Sequence, residues 1–524
     1  MTTPAEPASP AAPAPSGLPP SGLPPSGRIP PARIPSGSNS PAPPPLPARP
    51  PLAACRSEAA RQRRAWHAEL AWLPGRGVCA DVLIEAEGDR FTAVTPDAPA
   101  GDLPADLRAR LTRLPGLTLP GMANAHSHAF HRALRGITQV GLGTFWTWRE
   151  RMYEVAARLD PDSYLALARA VYAEMALAGI TCVGEFHYLH HGPDGTPYAD
   201  PNEMGRALIT AAAQAGIRIT LLDTCYLSGG LSRRGERQPL AGAQLRFGDG
   251  DGEAWAARAD ALGADSHGLL SLLARAGAAI HSVRAVPLEQ MHAVIAWAQR
   301  IGAPLHAHLS EQPAENEACL AAYRRTPAEL LYDADALGPR ATVVHATHLV
   351  GRDVELLGGS RTFACFCPTT EADLADGIGP ARELAAAGCP LTLGTDSQAV
   401  IDMFEEARGV ELGERLASGQ RGHFRSGELA RAATTDGHAS LGWPDAGEIA
   451  AGAIADLVTV ALDSTRLAGT TTPRTALAKV IFAASAADVR NVVVGGADLV
   501  VDGQHRLVDD VPAALRAAIT AVLS

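Results

Sequence analysis

The chain is 524 residues long, enough for a large α/β barrel plus a smaller accessory domain. With 45 Lys+Arg against 56 Asp+Glu it carries a formal net charge of −11 and no basic run beyond a few arginines, which argues against nucleic acid or an anionic membrane surface as partner and leaves a small-molecule substrate. No stretch approaches the roughly 18 apolar residues of a membrane span, and the first residues lack the layout of a secretory signal, so a cytoplasmic location is expected.

The 8 cysteines are scattered without CxxC spacing, which argues against a zinc ribbon or a disulfide framework and for reduced, buried thiols. Lys479 is the only lysine. No P-loop or kinase-type lysine therefore stands at its motif, and a Schiff-base lysine would have to be Lys479 itself.

Residues 1–60 are dominated, to about position 54, by Pro, Ala, Ser and Gly, with SGLPPSGLPPSG as an imperfect repeat. Such a segment cannot bury enough apolar surface to offset chain entropy and is expected to be a disordered tail. Across 61–116, WHAELAWLPG, VCADVLIEAEG and RFTAVTP alternate apolar and polar residues between Gly and Pro turns, the pattern of short antiparallel strands.

From Leu117 to about residue 435 the pattern changes to short apolar strands alternating with alanine-rich amphipathic helices. Eight strands can be counted: LTLPGMANAHSH, TCVGEFHY, RITLLDTCY, AAIHSV, APLHAHLSE, TVVHATHL, FACFCP and LTLGTDS. Eight parallel βα units close most economically into a (β/α)8 TIM-like barrel. In 436–524, GEIAAGAIADLVTVAL and VRNVVVGGADLVVDGQHRLV return to hairpin-like alternation.

Barrel enzymes work at the C-terminal ends of their strands, so the polar residues there locate the chemistry. The first strand ends His126-Ser127-His128, and period-two geometry turns both imidazoles to one side. HxH alone is a weak signal. The fifth strand ends His306-Ala307-His308 and is followed by Glu311, the sixth ends His345-Ala346-Thr347-His348, and the eighth runs Gly394-Thr395-Asp396-Ser397. Three imidazoles and one carboxylate, gathered from several strand ends, suit Zn²⁺ or a related divalent ion with a coordination position left for water.

In order along the chain, PGMANAHSHAFHRALRG, FWTWRE, EFHYLHH, IHSVRAV, HAHLSEQ, VHATH, TTEADLADGI and GTDS resemble the formimidoylglutamate deiminase family of the amidohydrolase superfamily, from about residue 61 onward. The resemblance implies a barrel flanked by a small β-sandwich domain built from both chain ends. It also implies hydrolytic deimination of N-formimino-L-glutamate to N-formyl-L-glutamate and ammonia, a step of histidine degradation, by metal-activated water.

By position it makes His126, His128, His308 and Asp396 the metal ligands, with Glu311, His345 and Asp396 as the catalytic groups. His131, Arg149, Tyr188, His281 and Arg284 become substrate contacts, the two arginines serving carboxylates. His306 is then a supporting histidine, while His187, His190 and His191 take packing roles. One divalent ion is implied, because Lys479 is not placed to bridge two; zinc is the first choice and Fe²⁺ the alternative. A homodimer is the family expectation.

The sequence departs from the family at His131, where glutamine is common, and at Asp373, where asparagine is usual; the Cys-Pro before TTEADLADGI is also atypical. Two other readings stand beside this one. The first is a deaminase of guanine, cytosine or an adenosine derivative on the same metal site, and the second is a barrel that has lost catalysis.

Overall fold

The computed structural model describes residues 63–264 and 273–524, so the expected tail at 1–60 lies outside the described residues. Four strands open the described chain: β1 (Arg63–Leu73), β2 (Gly77–Glu87), β3 (Arg90–Thr95) and β4 (Thr112–Pro120). The barrel strands begin with β5 (Met122–Ser127), β6 (Ile180–His187) and β7 (Arg218–Cys225). After a two-residue-per-strand hairpin, β8 (Gly230–Leu231) with β9 (Arg237–Gln238), they continue as β10 (Ala274–Ile280), β11 (Leu305–Leu309), β12 (Ala341–His345), β13 (Phe363–Phe366) and β14 (Leu391–Leu393). The last strands are β15 (Leu457–Val460), β16 (Val489–Val494), β17 (Ala497–Val501) and β18 (Gln504–His505).

The eight expected barrel strands pair in chain order, all parallel, from β5 to β14. A parallel bridge between Ser127 and Asp396 brings the first and last together, so the fold is a TIM-like barrel. Every residue of β5, β6, β7, β11, β12 and β13 is buried, as expected of strands covered by helices outside and packed side chains within. The helices between them start and stop on local signals. Asp160 caps Pro161–Leu177 by accepting from the Ser163 N–H at 2.8 Å, and Gly216 ends Glu203–Ala215 in the left-handed region.

The two chain ends meet in one continuous sheet, ordered β18-β17-β16-β15-β4-β1-β2-β3. It has its own core of Trp66, Val82, Ile84, Phe91, Leu457 and Val493, drawn from both ends. The run Leu117–His128, a single strand by sequence pattern, is divided at Gly121. The part before it pairs with β1 and β15, and the part after it enters the barrel. A Cβ at Gly121 would meet the Thr181 side chain at 2.4 Å, so only glycine permits the crossing there.

Arg218 at the start of β7 reaches out of the barrel floor to Asp456, just before β15, in a fully buried ion pair, and Asp456 also accepts from the Gly495 N–H at 2.7 Å. This pair ties barrel to small sheet. A C-terminal helix, Val511–Leu523, was not read from the sequence; it packs against Pro161–Leu177.

Candidate active site

The ends of β5, β11 and the turn after β14 converge at one mouth of the barrel. The Nε2 atoms of His126 and His128 lie 3.2 Å and 3.3 Å from Asp396 Oδ1, and His308 Nε2 lies 3.1 Å from His126 Nε2. The four ligand-capable atoms all lie within 4.8 Å of one another, and all four residues are buried.

Carbonyls behind the cluster fix the imidazoles: His128 Nδ1 donates to Phe186 O and His308 Nδ1 to His281 O, each at 2.9 Å, leaving the Nε2 lone pairs aimed inward. Burial holds His126, His128 and His308 below the ordinary histidine range. Burial alone would raise Asp396, but the facing imidazoles outweigh it and keep the carboxylate ionised. Three neutral imidazoles around one carboxylate are the donor set that a divalent cation of the zinc type requires.

The backbone is bent to achieve this. Ser310, His345 and Asp396 have φ of 50°, 71° and 40°, a left-handed region that non-glycine residues rarely enter, and each sits where a strand end turns a side chain into the mouth. Behind the HxH loop, Ser127 donates to Glu185 at 2.8 Å and accepts from Gln398 at 2.9 Å, while the Ala129 N–H donates to Glu185 at 2.7 Å. Burial pushes the Glu185 carboxyl up to about 8.

His345 stacks on His308 with ring centroids 5.6 Å apart. Its Nε2 lies 3.8 Å from Glu311 and its Nδ1 3.5 Å from Glu371. Burial opposes charge on His345, yet Glu311, Glu371 and Asp396 outweigh it and hold the imidazole well above its ordinary value. Asp376 forms a further cluster with Glu311 and His345, its carboxyl raised to about 8 by burial, with Glu311 adding to the effect. Sequence reasoning missed Glu371 and Asp376; their only signal is their place after β13 in a segment the motif already covers.

An open cleft lies over the cluster. His131, Arg149, Tyr188, His281 and Arg284 all line it, together with Glu311 and His345. Arg149, on the helix Phe145–Arg158, donates through Nε to the Tyr153 hydroxyl at 2.7 Å. Arg284 is partly engaged, at 3.6 Å from Glu311 and 3.3 Å from the buried Glu315. His131 Nε2 lies 3.1 Å from the Tyr188 hydroxyl, and burial pushes the His131 imidazole down to about 3.

Not every histidine joins the mouth. His306 turns to the barrel floor, where Nε2 meets the Ser440 carbonyl at 3.1 Å. His190 and His191 belong to a buried network with Asp223, Asp249 and Arg258. Asp373 faces away to Gln139, bonded at 2.8 Å in an exposed contact. Sequence reading also missed the aromatic wall of the cleft: Phe145, Trp148, Tyr153, Tyr226 and Phe247.

Comparison with known proteins agrees with this architecture. The model of the amidohydrolase family matches residues 117–498. The chain is 38% identical over 449 residues to formimidoylglutamate deiminase from Pseudomonas aeruginosa, covering 84% of this chain and 95% of that one. It is 32% identical over 403 residues to 8-oxoguanine deaminase from the same organism, covering 74% and 83%. Among solved structures, an amidohydrolase from Brucella melitensis superposes with a TM-score of 0.79 at 33% identity, covering 88% of this chain and 100% of that one. A zinc-bound adenosine deaminase from Xanthomonas campestris gives 0.72 at 23% identity, over 87% and 97%. The chain belongs to the amidohydrolase family.

Proposed function

We propose that this enzyme hydrolyses a carbon–nitrogen bond of N-formimino-L-glutamate, releasing ammonia and leaving N-formyl-L-glutamate. One observation carries the choice of substrate: a cleft that ends on a three-histidine, one-aspartate cluster also carries two guanidinium groups, Arg149 and Arg284, on its wall. A substrate with two carboxylates matches two arginines. A neutral nucleobase would leave the Arg149 charge unanswered, since only Arg284 has carboxylates beside it. The 38% identity to a formimidoylglutamate deiminase supports the same reading.

His126, His128, His308 and Asp396 would hold one divalent ion, zinc by donor type with Fe²⁺ as the alternative. When bound, the ion supplies Lewis-acid activation of water. The residues of the chain do the rest. Asp396 is placed to take the proton of the attacking water as its oxygen bonds to the formimino carbon. The His345 imidazole, kept charged by its flanking carboxylates, opposes the negative charge that develops there. Both protons of the attacking water end on the departing nitrogen, one handed on from Asp396 and the other taken from the new hydroxyl and delivered by Glu311, 3.8 Å from His345; the C–N bond breaks, ammonia leaves, and the C=O of the formyl group forms.

His131 and Tyr188 hold the formimino end through their shared hydrogen bond, and His281 closes the opposite wall. The reading carries with it a cytoplasmic homodimer acting in histidine degradation, as expected from the resemblance. Among the described residues no helix is long and apolar enough to cross a membrane. The test is ammonia release from N-formimino-L-glutamate by zinc-loaded protein, with 8-oxoguanine, guanine, cytosine and adenosine in parallel and Asp396→Ala as control. Release from the first compound alone, lost in the control, upholds the proposal, and turnover of a nucleobase alone overturns it.

A further inference from the structure

The cleft wall contains a hydrogen-bond chain whose direction can be worked out by counting donors. Arg149 Nε donates to the Tyr153 oxygen at 2.7 Å. Gln244 Nε2 donates to the Tyr153 oxygen at 3.0 Å and to the Tyr226 oxygen at 3.1 Å, with a longer 3.4 Å approach to the Gly229 carbonyl. The amide of Gln244 is held this way round because its Oε1 accepts from the Ala241 N–H at 3.3 Å. Gln244 itself is buried behind the two phenols.

A phenol oxygen accepts two hydrogen bonds and donates one. Both acceptor positions of Tyr153 are taken, by Arg149 and Gln244. Tyr226 accepts from Gln244, and among the described residues no hydrogen bond runs from its own hydroxyl. Burial pushes the Tyr226 phenol well above its ordinary value, with Tyr153 adding to the effect, so the hydrogen stays on the oxygen at neutral pH.

Tyr226 follows directly on β7 and its ring is held against His281, with centroids 4.3 Å apart, and Phe247, at 5.3 Å. It lines the cleft that Arg149 and Arg284 also line. Tyr188 differs in just this respect, since its hydroxyl is already shared with His131 at 3.1 Å and Met152 Sδ at 3.7 Å.

We propose that Tyr226 determines specificity by donating its hydroxyl to a substrate carboxylate beside the two arginines, with Gln244 as the positioning residue that orients this donor. The inference rests on the dicarboxylate substrate proposed above and deepens it. Tyr153 is half-buried and can turn its O–H to water, whereas Tyr226 is buried, so the unspent O–H of the buried wall is that of Tyr226. An incoming carboxylate oxygen completes the chain, whereas a group without an acceptor there leaves that O–H unanswered in a buried wall.

The experiment compares kcat and KM of zinc-loaded wild type, Tyr226→Phe, Gln244→Met and the double variant. The substrates are N-formimino-L-glutamate, N-formimino-4-aminobutyrate, which lacks the α-carboxylate, and N-formimino-L-2-aminobutyrate, which lacks the γ-carboxylate. Tyr226→Phe keeps the ring and removes one oxygen, so its fold is preserved.

The expected result is a KM for N-formimino-L-glutamate raised by about tenfold or more with kcat little changed. That penalty disappears for whichever analogue lacks the carboxylate that Tyr226 touches, and the double variant is no worse than Tyr226→Phe alone, since both act through one hydrogen. An unchanged KM in Tyr226→Phe, or an equal penalty on both analogues, overturns the inference while leaving the substrate assignment intact. Failure of wild type to turn over N-formimino-L-glutamate overturns both.

Discussion

Breaking the buried pair Arg218–Asp456 tests how the barrel is fastened to the small sheet. Arg218 has a side chain 2% exposed and Asp456 one 0% exposed, so neither can turn to water when its partner is removed. In Arg218→Met the Asp456 carboxylate keeps only the Gly495 N–H; in Asp456→Asn the guanidinium keeps a neutral amide oxygen and the face of Trp443, 5.6 Å from its Cζ, but loses its counter-charge. An unpaired charge left in such a place costs about 3–5 kcal/mol, so each single variant should lose that much.

The double variant Arg218→Met/Asp456→Asn leaves no buried charge and retains an oxygen for the Gly495 N–H. Its loss should be about 1–2 kcal/mol, giving an interaction energy of at least ~4 kcal/mol in the cycle. The assay is urea unfolding of the metal-loaded protein, followed by circular dichroism and by residual activity, with m-values compared across the four proteins. Losses in the double variant equal to the sum of the singles would refute the reasoning, since the two groups would then be independent.

Other expectations follow from particular residues. Asp396→Asn should retain the fold by circular dichroism yet hold at least about tenfold less metal after dialysis, measured by elemental analysis, because the cluster loses its one ionised ligand. Arg149→Met should lower kcat/KM for N-formimino-L-glutamate by about 10- to 100-fold, the loss of a charge-assisted bond, with Arg149→Lys between the two.

Gly394→Ala should also reduce metal content, because the added Cβ would lie 2.7 Å from the His126 Cβ and 2.8 Å from its carbonyl oxygen, pushing the first ligand out of place. Burial lowers both His190 and His438 to about 4. Unfolding restores their ordinary value near ~6.5, so the unfolded chain binds protons that the folded one refuses. Stability should therefore fall as pH drops from about 6.5 through 4, by up to ~1.4 kcal/mol per pH unit for each group. Unfolding titrations at stepped pH read this slope, and His438→Gln should flatten it.

The barrel was legible in the sequence because its strands are short apolar runs at regular spacing, and all eight segments pair in their order of appearance. What the pattern could not show is where one strand ends and another begins without a polar break. Leu117–Pro120 and Met122–Ser127 are both buried, and the division between them is set by the close approach of Thr181 to Gly121.

The metal-ligand candidates placed at the mouth from sequence were those at strand ends, where period-two alternation or a charged side chain marks them, as at His126 and His128, whereas Arg149, on a helix, and His131 came from the family resemblance alone. Tyr226 also follows a strand, in the run DTCY, but an aromatic beside a cysteine reads as core. Its significance comes from Gln244, 18 residues further on, which meets it only in the fold. Glu315 was likewise missed; it is a first-turn helix residue whose contact with Arg284 has no sequence signature.

Product analysis of N-formimino-L-glutamate turned over in ¹⁸O-labelled water by the zinc-loaded enzyme tests the central claim most directly. The account predicts one ammonia per turnover and N-formyl-L-glutamate carrying a single ¹⁸O in its formyl group. Unlabelled glutamate with formamide, or no product at all, would contradict it.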